Sequence, residues 1–401
     1  MTSRCLRLTP THSSLLLSQT RCLIITSGLS PLCDLCFMNR LWAEIDLNAL
    51  KNNVNTAART VGNNVGILAV VKADAYGHGA VTISRALEKM PQVKMLGVSS
   101  VEEGFELRES GVSAPILVMG VAPEGMAADA ARAGLTFSVF TEECVSRLSS
   151  AAAETGKQVS FHLKVDTGMG RLGAEPENVA AIMEKARTAK NLHFEGVFTH
   201  LADSSGPAER TLTQVERFES AVSELARAGM PPRLRHIANS AAVQRFPGSF
   251  GNMVRPGIML YGSSFDPSCL APVMKVKTSI VRIRKMPAGM PVGYGGTFVT
   301  KRPTLLATVP VGYKDGYFRA LSGRAKVSVG GAAAPVVGEV CMDFTTIDIT
   351  DAGEVKAGDE AVLFGDGIVS AGDVAGWART IPYEVMTVAG SMARKKAPES
   401  L

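Results

Sequence analysis

The stretch of sequence that decides the fold reads AVVKADAYGHG and runs from Ala69 to Gly79. It begins as an apolar run, reaches one lysine at Lys72, and continues into a turn with two glycines. A lysine at the carboxyl end of a buried strand occupies the position at which barrel enzymes place their catalytic residues. Lysine is also the side chain that holds an aldehyde cofactor as a Schiff base and then carries protons. From its residues alone, the stretch indicates either a catalytic lysine at the end of a buried parallel strand or a surface lysine after an edge strand.

Similar apolar runs recur along the first two thirds of the chain, and amphipathic stretches separate them. The eight runs are Gly66–Lys72, Lys94–Ser99, Pro115–Gly120, Leu135–Phe140, Ser160–Asp166, Phe194–His200, Leu234–Asn239 and Met253–Leu260. The stretches with helical spacing include Val81–Lys89, Val101–Ser110, Glu124–Ala133, Glu142–Thr155, Glu177–Ala189 and Ala208–Ala228. Continuous apolar runs joined by helices indicate a parallel sheet that is covered on both faces. Eight such units predict a closed (β/α)8 TIM-like barrel over residues 38–270.

The pattern changes after about residue 272, where short alternating or β-branched runs are separated by Gly, Pro and Asp. These runs are Lys275–Lys285, Leu305–Val311, Ala325–Val329, Ala334–Val337, Phe344–Ile349 and Glu360–Phe364. They predict a mostly antiparallel β domain over residues 271–401. We expect the amino-terminal strand, residues 41–46, to join this second domain.

The composition of the 401-residue chain is that of a globular protein, with 46% hydrophobic and 20% charged residues. The net charge of +5 is spread along the chain, whereas a nucleic-acid-binding protein usually concentrates basic residues with aromatic partners in a patch. No stretch reaches the roughly 18 apolar residues that a membrane-spanning helix requires. The composition therefore favours small-molecule substrates over nucleic acid or membrane partners.

Residues 1–37 differ from the rest of the chain, because they are rich in serine, threonine and leucine and their first acid is Asp34. Such a segment is either an Arg- and Ser-rich transit peptide or a non-native extension from an upstream start codon. Met38 opens a well-patterned segment, so we expect residues 1–37 to be dispensable. Four of the seven cysteines lie in this segment, and the others are the widely separated Cys144, Cys269 and Cys341. This spacing is neither a disulfide framework nor a zinc site, and it predicts a reducing, cytoplasmic location.

The ends of the predicted barrel strands carry the polar residues of a candidate active site. Lys164 and the loop residues 166–171 follow the fifth strand, and His200 ends the sixth. The seventh and eighth strands lead to Asn239, Ser240, Arg255, Gly257 and Ile258. A hydroxyl group and backbone N–H groups after strands seven and eight form a phosphate cradle in many barrels. Ser240, Gly257 and Ile258 suit that role.

These motifs together resemble those of the alanine racemases, the fold-type III class of pyridoxal-phosphate enzymes. The lysine motif is followed in family order by TGMGRLG (167–173), HIANSAA (236–242), RPGIMLYG (255–262), GYGGTF (293–298), GYKDGY (312–317) and VCMD (340–343). The resemblance covers both predicted domains, from about residue 40 to the end of the chain. It implies a pyridoxal 5'-phosphate-dependent racemase that interconverts L- and D-alanine and supplies D-alanine for peptidoglycan.

The resemblance assigns roles to individual residues. Lys72 and Tyr294 are the two catalytic bases, one on each face of the cofactor, with the lysine serving D-alanine and the tyrosine L-alanine. Arg171 and the Met342 amide bind the substrate carboxylate. The residues implied to bind the cofactor are Lys72, Tyr76, His200, Asn239, Ser240, Arg255, Gly257, Ile258 and Tyr383. Lys164, Tyr313 and Asp343 have supporting roles, and no metal is implied.

The resemblance also implies a head-to-tail homodimer, in which Tyr294, Tyr313, Met342 and Asp343 enter the barrel of the neighbouring subunit. Such an isologous interface has two-fold symmetry and gives two composite sites. An ordinary tyrosine ionises near pH 10, so a tyrosine base at neutral pH requires positive neighbours. His200 and Arg255 are the candidates for those neighbours.

Arg255 has a second implied task, which is to face the pyridine nitrogen of the cofactor without protonating it. Lys164 matches a lysine that is carbamylated in some family members; the alternative is an ammonium group paired with Asp166. Phe344 and Lys314 depart from the usual family pattern. These departures leave open the shape of the entrance to the active site and the range of substrates.

Three alternatives to an alanine racemase stay open at this stage. A non-catalytic cofactor-homeostasis protein would have the barrel but lack the second domain and Tyr294. A basic-amino-acid decarboxylase would place an acid where this chain has Arg255. A racemase of serine or of broad specificity would share every motif named above.

Overall fold

The computed structural model describes residues 40–397, so the predicted extension over residues 1–37 lies outside the described residues. The described chain opens with strand β1 (Trp42–Ile45) and helix α1 (Leu47–Val61). Asp46 starts α1, because its carboxylate accepts the backbone N–H groups of Asn48 and Ala49 at 2.8 and 3.0 Å. This is the N-cap arrangement that satisfies otherwise unpaired amides at a helix start.

Eight parallel strands follow and close into a barrel. They are β2 (Gly66–Val70), β3 (Val93–Val98), β4 (Ile116–Val118), β5 (Leu135–Val139), β6 (Val159–Lys164), β7 (Leu192–Phe198), β8 (Leu234–Asn239) and β9 (Met253–Arg255). Each strand pairs with the next in chain order, and β9 closes the ring by pairing with β2 through Met253 and Gly66. The predicted (β/α)8 barrel is confirmed.

The six predicted amphipathic stretches each correspond to one helix of the barrel and differ from it only at the ends. A short turn, α2 (Lys72–Gly77), precedes α3 (Ala80–Leu87), α4 (Val101–Glu109), α5 (Ala127–Arg132), α6 (Glu142–Thr155), α7 (Val179–Thr188), α8 (Ala208–Arg227) and α9 (Ser240–Arg245). Side-chain caps set two of the starts, because Ser100 and Thr141 accept backbone N–H groups of α4 and α6. None of the helices between residues 40 and 397 combines the length and apolar character that crossing a bilayer requires.

The carboxyl-terminal part is built mainly from antiparallel strands, as predicted. Its strands are β10 (Met274–Ser279), β11 (Arg282–Met286), β12 (Pro291–Val292), β13 (Phe298–Val299), β14 (Thr304–Val309), β15 (Lys326–Val329), β16 (Ala332–Pro335), β17 (Thr345–Asp348), β18 (Glu360–Phe364) and β19 (Arg394–Lys396). Six strands form one sheet in the order β16-β15-β18-β10-β1-β19, and smaller sheets are β11-β14-β17 and β12-β13. Strand β1 therefore pairs with β10 and belongs to this part of the structure.

Two features of this part differ from the sequence prediction. The run Lys275–Lys285 is divided between β10 and β11, which lie in different sheets. Two helices, α10 (Ala371–Ala378) and α11 (Pro382–Met392), lie between β18 and β19. Helix α10 carries a start signal, because Ser370 and Asp373 form a reciprocal capping box.

Helix α11 connects the second domain to the barrel site of the same chain. It packs against α2, where the carbonyl oxygen of Gly77 contacts the backbone of Gly390. Asp74 in the same turn pairs with Lys395 at 2.7 Å. The two contacts fix the segment after Lys72 against the carboxyl-terminal end of the described chain.

The buried Asn53 of α1 holds the link between the barrel and the second domain. Its Nδ2 donates to the carbonyl oxygens of Leu260 and Ala271 at 3.0 and 2.8 Å. Its Oδ1 accepts the Ala271 N–H at 2.9 Å. One buried amide therefore satisfies three backbone groups where the chain leaves the barrel.

We expect Asn53→Ala to lower the free energy of unfolding by about 3 kcal/mol, because it leaves buried backbone groups without partners. Urea denaturation followed by circular dichroism measures this difference. Asn52→Ala is the matched control, since Asn52 is the exposed neighbour on the same helix. Equal stability of the two variants would contradict the assignment of Asn53 as the link.

Candidate active site

The lysine motif forms an unusual turn at the carboxyl end of β2. Lys72 follows the strand, and the next four residues, Ala73 to Tyr76, have φ angles between +52° and +55°. These angles are left-handed, and for non-glycine residues each costs roughly 1–2 kcal/mol. Such strain persists only where the surrounding structure enforces it, and it concentrates at functional sites.

Hydrogen bonds to charged side chains enforce the turn. The Ala73 N–H donates to Glu103 Oε1 at 2.7 Å, and the Ala80 N–H donates to Asp74 Oδ1 at 2.7 Å. Sequence analysis missed Glu103, although Ser100 and Glu103 have capping-box spacing. That signal predicts a carboxylate near the start of α4, and Glu103 Oε2 does accept the Ser99 N–H there at 2.6 Å.

His78 closes the same turn from inside the protein. Its Nδ1 lies 2.9 Å from the Ala75 carbonyl oxygen and 3.0 Å from that of Tyr76, so Nδ1 carries the proton and donates. Burial lowers the pKa of His78 to about 4, which keeps the ring neutral. His78 thus stabilises the turn through its backbone carbonyl groups.

Four basic side chains act on one another at this end of the barrel: Lys72, Lys164, Arg171 and Arg255. Burial lowers the pKa of Lys72, and the nearby charge of Arg171 lowers it further. Burial, followed by the charges of Arg171 and Arg255, lowers the pKa of Lys164 to about 8. The mouth of the barrel therefore concentrates positive charge and favours anionic ligands.

An ion pair between Lys164 and Asp166, which the sequence left open as the alternative to carbamylation, is not found among residues 40–397. The Asp166 carboxylate accepts the N–H groups of Gly168, Met169 and Gly170 at 2.8 Å each, and so organises its own loop. Lys164 instead donates to the Met119 carbonyl oxygen at 3.4 Å. Asp166 thus shapes the loop that carries Arg171.

Arg255 is buried and held by main-chain oxygens at the end of β9. Its guanidinium donates to the carbonyl oxygens of Thr199, His236 and Ile237. Burial lowers its pKa to about 9, so Arg255 stays positively charged at neutral pH. The centroid of the Phe198 ring lies 5.3 Å from Arg255 Cζ.

His200 is not the positive neighbour that the sequence analysis assigned. Burial, together with the charges of Arg255, Arg171, Lys164 and Lys72, lowers the pKa of His200 to about 3. The imidazole is therefore neutral at pH 7 and can act only by hydrogen bonding or packing. Arg255 remains as the positive charge predicted for this role.

The predicted phosphate cradle lies where β8 and β9 end, and the structure changes the role of one member. Ser240 Oγ accepts the N–H groups of Gly257 and Met259 at 2.9 and 3.2 Å, which leaves its own hydroxyl proton free to donate. The Gly257 N–H is therefore engaged, contrary to its predicted role as a phosphate donor. The Ile258 N–H has no acceptor among residues 40–397. Ser240 and Ile258 are the donors that this turn offers to an anion.

Gly257 has a steric role instead, because a Cβ atom at this position would collide with the hydroxyl group of Tyr76. Tyr76 packs against Tyr261 and Tyr383, with ring centroids 5.0 and 5.8 Å away. Burial raises the pKa of Tyr76 far above its ordinary value, so the hydroxyl keeps its proton and can donate. Sequence analysis missed Tyr261, whose hydroxyl donates to the Val70 carbonyl oxygen at 2.9 Å and so braces the end of β2.

Asn239 supports the cradle from behind. Its Oδ1 accepts the Ala242 N–H at 3.1 Å, which caps α9, and the Ser204 hydroxyl at 2.7 Å. These bonds hold the backbone that presents Ser240. The structure thus gives Asn239 a positioning contact within the protein.

Among the second-domain residues with predicted roles, Tyr294, Tyr313 and Met342 have exposed side chains, and Tyr313 and Met342 lie on one surface. The exposed fractions are 73% for Tyr294, 42% for Tyr313 and 53% for Met342. The Tyr313 N–H donates to the Cys341 carbonyl oxygen at 3.0 Å, which sets Tyr313 beside Met342. Arg40 joins this surface by pairing with Asp343 at 3.2 Å.

Lys72 lies at the mouth of the barrel, whereas Tyr294 lies in the second domain. The charged groups that change the pKa of Lys72 are Arg171 and Glu103, which both belong to the barrel. One chain therefore carries the lysine in its barrel and presents the predicted second base, Tyr294, on its surface.

The residues of the barrel mouth fit pyridoxal phosphate. Ser240, Tyr76 and Ile258 offer uncharged donors suited to a phosphate, and Gly257 leaves the space that Tyr76 needs. The aldehyde carbon requires a lysine whose pKa is lowered, and Lys72 meets this condition. The surrounding cations complement the negative charge of the cofactor.

Comparison with known proteins agrees with this geometry. Family models described as "Alanine racemase, N-terminal domain" and "Alanine racemase, C-terminal domain" match residues 45–265 and 273–397. An alanine racemase of Thermodesulfovibrio yellowstonii is 42% identical over 363 residues, which are 89% of this chain and 97% of the relative. Alanine racemase 2 of Caldanaerobacter subterraneus is 41% identical over 85% of this chain and 90% of the relative.

Solved structures are similar over the same length. Alanine racemase from the D-cycloserine-producing Streptomyces lavendulae superposes with a TM-score of 0.85 at 33% identity and covers 90% of this chain and 98% of its own. The enzyme of Bartonella henselae with covalently bound pyridoxal phosphate gives a TM-score of 0.80 at 28% identity, covering 90% and 99% of the two chains. Sequence, fold and the residues of the barrel mouth together show that this chain belongs to the alanine racemase family.

Proposed function

We propose that the protein is a pyridoxal-phosphate-dependent isomerase that interconverts L-alanine and D-alanine. The observation that carries the proposal is the strained turn that delivers Lys72 into a mouth lined by Lys164, Arg171 and Arg255. Family membership supports the same reaction and the same cofactor.

The cofactor, held through Lys72, withdraws electrons from the substrate α-carbon and so makes its proton easier to remove. The protein then has to bind the amino acid, orient it and move one proton on each face. A base on each side of the substrate inverts the α-carbon without turning the substrate over.

Lys72 is the proposed base on one face. An amine acts as a base only when it is unprotonated, and burial beside Arg171 lowers the pKa of Lys72 towards the range where this form is accessible. Arg171 is exposed and forms no ion pair among the described residues, so its guanidinium is available to the substrate carboxylate. Asp166 favours this use, because it organises the loop without neutralising the arginine.

Tyr294 of a second subunit is the proposed base on the other face. Its side chain is exposed on the surface of the single chain, as a site shared between two subunits requires. A head-to-tail homodimer brings each such surface to the barrel mouth of its partner and produces two identical sites. Arg255 supplies the positive charge that favours ionisation of the incoming phenol.

We further propose that the reaction serves the supply of D-alanine for peptidoglycan in the cytoplasm. The family membership supports this role, and the scattered positions of Cys144, Cys269 and Cys341 are compatible with a reducing compartment. The cytoplasmic location stays a prediction from the sequence.

The reaction itself is tested by mixing the purified protein and pyridoxal phosphate with L-alanine and following circular dichroism. We expect the signal to decay to zero as the racemic mixture forms, and Lys72→Ala to abolish this decay. A parallel sample with L-serine distinguishes an alanine racemase from one of serine or broad specificity. Cofactor binding without any loss of optical activity would instead indicate a non-catalytic binding protein.

The shared site is tested by mixing two inactive variants, Lys72→Ala and Tyr294→Phe. A mixed dimer has one site that lacks both bases and one site that retains both. Random reassociation therefore restores about a quarter of the wild-type activity if each site uses both subunits. Each variant incubated alone is the control. Failure of the mixture to regain activity after proven exchange of subunits would contradict the two-subunit site.

The cradle is tested by Gly257→Ala, since the added methyl group displaces Tyr76. If the overlap costs about 1.4 kcal/mol of binding free energy, the Kd for the cofactor rises about tenfold. Titration of the apoprotein with pyridoxal phosphate, followed by absorbance, measures this change. Gly248→Ala is the matched control, because a Cβ atom at Gly248 meets nothing within 4 Å. Equal affinities for the two variants would refute the steric role of Gly257.

A further inference from the structure

The interior of the barrel contains a polar chain that the proposed reaction leaves unexplained. Barrel interiors are normally filled by branched apolar side chains. Here His162 on β6 and His236 on β8 are both fully buried inside. Buried polar groups persist when each has a hydrogen-bond partner, and a fully connected network specifies one arrangement.

The chain runs from one end of the barrel to the other. Arg255 Nη1 lies 3.1 Å from His236 Nδ1, and His236 Nε2 lies 2.7 Å from His162 Nδ1. His162 Nε2 lies 3.3 Å from Oε2 of Glu195, in the middle of β7. Glu195 and its ion-pair partner Arg233 line an open cleft at the amino-terminal end of the barrel, opposite the active site.

The two ends of the chain determine its direction. Arg255 can only donate, so His236 Nδ1 accepts and Nε2 carries the proton. His162 Nδ1 then accepts from His236, and His162 Nε2 donates to Glu195. An ionised carboxylate can only accept a hydrogen bond, so Glu195 requires a proton on His162 Nε2. This is the same arrangement of protons that Arg255 requires from the other end.

The charges are consistent with this direction. The hydrogen bond from His162 lowers the pKa of Glu195 to about 2, with help from Arg233, so the carboxylate is ionised. Burial lowers the pKa of both His162 and His236. The imidazoles are therefore neutral, and each has one donor and one acceptor as the chain requires.

A β-bulge aims Glu195 into the barrel. Strand β6 pairs Phe161 with Phe194 but His162 with Gly196, so Glu195 is an extra residue in β7. Bulges redirect side chains and recur near active sites. The next residue must be small, because a Cβ atom at Gly196 would lie 3.1 Å from His162 Cε1. The backbone thus provides both the direction of the carboxylate and the space for the ring.

We propose that Glu195 is a positioning residue for Arg255 and acts on it through the directed chain of His162 and His236. The inference rests on the proposed racemase function, in which Arg255 serves the cofactor and the second base. A reversed chain would bring a His236 Nδ1–H against the Arg255 N–H, so two donors would face each other. The carboxylate excludes that arrangement and keeps an acceptor in front of Arg255.

The direction of the hydrogen bonds is measured by ¹⁵N NMR on holoenzyme with labelled histidines. The full amino-acid sequence contains six histidines. Both rings are expected to be neutral and protonated at Nε2 at neutral pH. Finding either ring charged, or protonated at Nδ1, would overturn the proposal. This readout needs no turnover, so its outcome is independent of whether alanine is racemised.

Three variants then separate positioning from a merely structural contact. Glu195→Leu removes the acceptor, Glu195→Gln keeps a carbonyl oxygen without the charge, and Arg233→Leu breaks the same ion pair but keeps the carboxylate. We expect Glu195→Leu to mix the tautomers of His162 and His236 and to lower kcat about tenfold with little change in KM, as outer hydrogen-bond partners do at metal sites. Glu195→Gln should keep the tautomers and lose less activity. Arg233→Leu should match the wild type in both readouts.

The proposal fails if Glu195→Leu and Arg233→Leu have the same tautomers and the same kcat. If Glu195→Leu does not fold, Glu195→Gln carries the test through the proton resonance of His162 Nε2–H. That resonance should move upfield, because a neutral acceptor makes a weaker hydrogen bond than a carboxylate. An unchanged resonance would show that Glu195 does not set the chain.

Discussion

The structure depends on the concentration of positive charge at the carboxyl-terminal mouth of the barrel. Lys164 and Arg255 lie on two strands, Lys72 on a turn and Arg171 on a loop. Burial and the charge of Arg171 lower the pKa of both lysines, and the charge of Arg255 also lowers that of Lys164. The nearby carboxylates of Glu103 and Asp166 offset only part of this charge, since the pKa values of Lys72 and Lys164 stay lowered beside them. An anionic cofactor and an amino-acid carboxylate would relieve the repulsion between these cations, so the charge of the barrel mouth itself favours binding of both.

The strained turn after β2 is the local counterpart of this arrangement. An ordinary helical turn would continue the backbone without strain, whereas left-handed angles from Ala73 to Tyr76 require support from Glu103, Asp74 and His78. In return, the turn places Lys72 and Tyr76 together at one site, with the tyrosine against the backbone of Gly257. The contact of α11 with the same turn couples it to the second domain. Strain of this kind is tolerated because the surrounding contacts over-determine the conformation.

The sequence was sufficient to predict the barrel. A strand that is buried on both faces must be a short continuous apolar run, and such a run can be recognised from local sequence alone. The motifs that resemble those of the alanine racemases also pointed to Lys164 and Arg171, which lie near Lys72 in the structure, while the roles of these residues stay predictions. Protonation states were beyond the sequence: the pKa of His200 is lowered by burial and by the charges of four cations that are distant in the sequence, so the ring is neutral. The hydrogen bond between Ser240 and Gly257 was equally beyond it, as it depends on how two loops pack. Helices α10 and α11 were missed because glycines and apolar residues hide their period, although the Ser370 cap was visible.

The polar interior of the barrel follows from the burial of Arg255. A guanidinium carries five N–H donors, and leaving one unpaired inside the protein is costly. Main-chain oxygens of Thr199, His236 and Ile237 take part of this demand, and the His236 ring takes another part. Once His236 accepts from Arg255, its other nitrogen must donate, which in turn requires an acceptor on His162 and then one on Glu195. Each polar residue in the interior thus provides the hydrogen-bond partner that the preceding residue needs. The series of hydrogen bonds ends at the Glu195 carboxylate, which meets solvent and Arg233 at the far end of the barrel. The single buried cation Arg255 therefore accounts for the hydrogen-bonded polar residues along the whole length of the barrel.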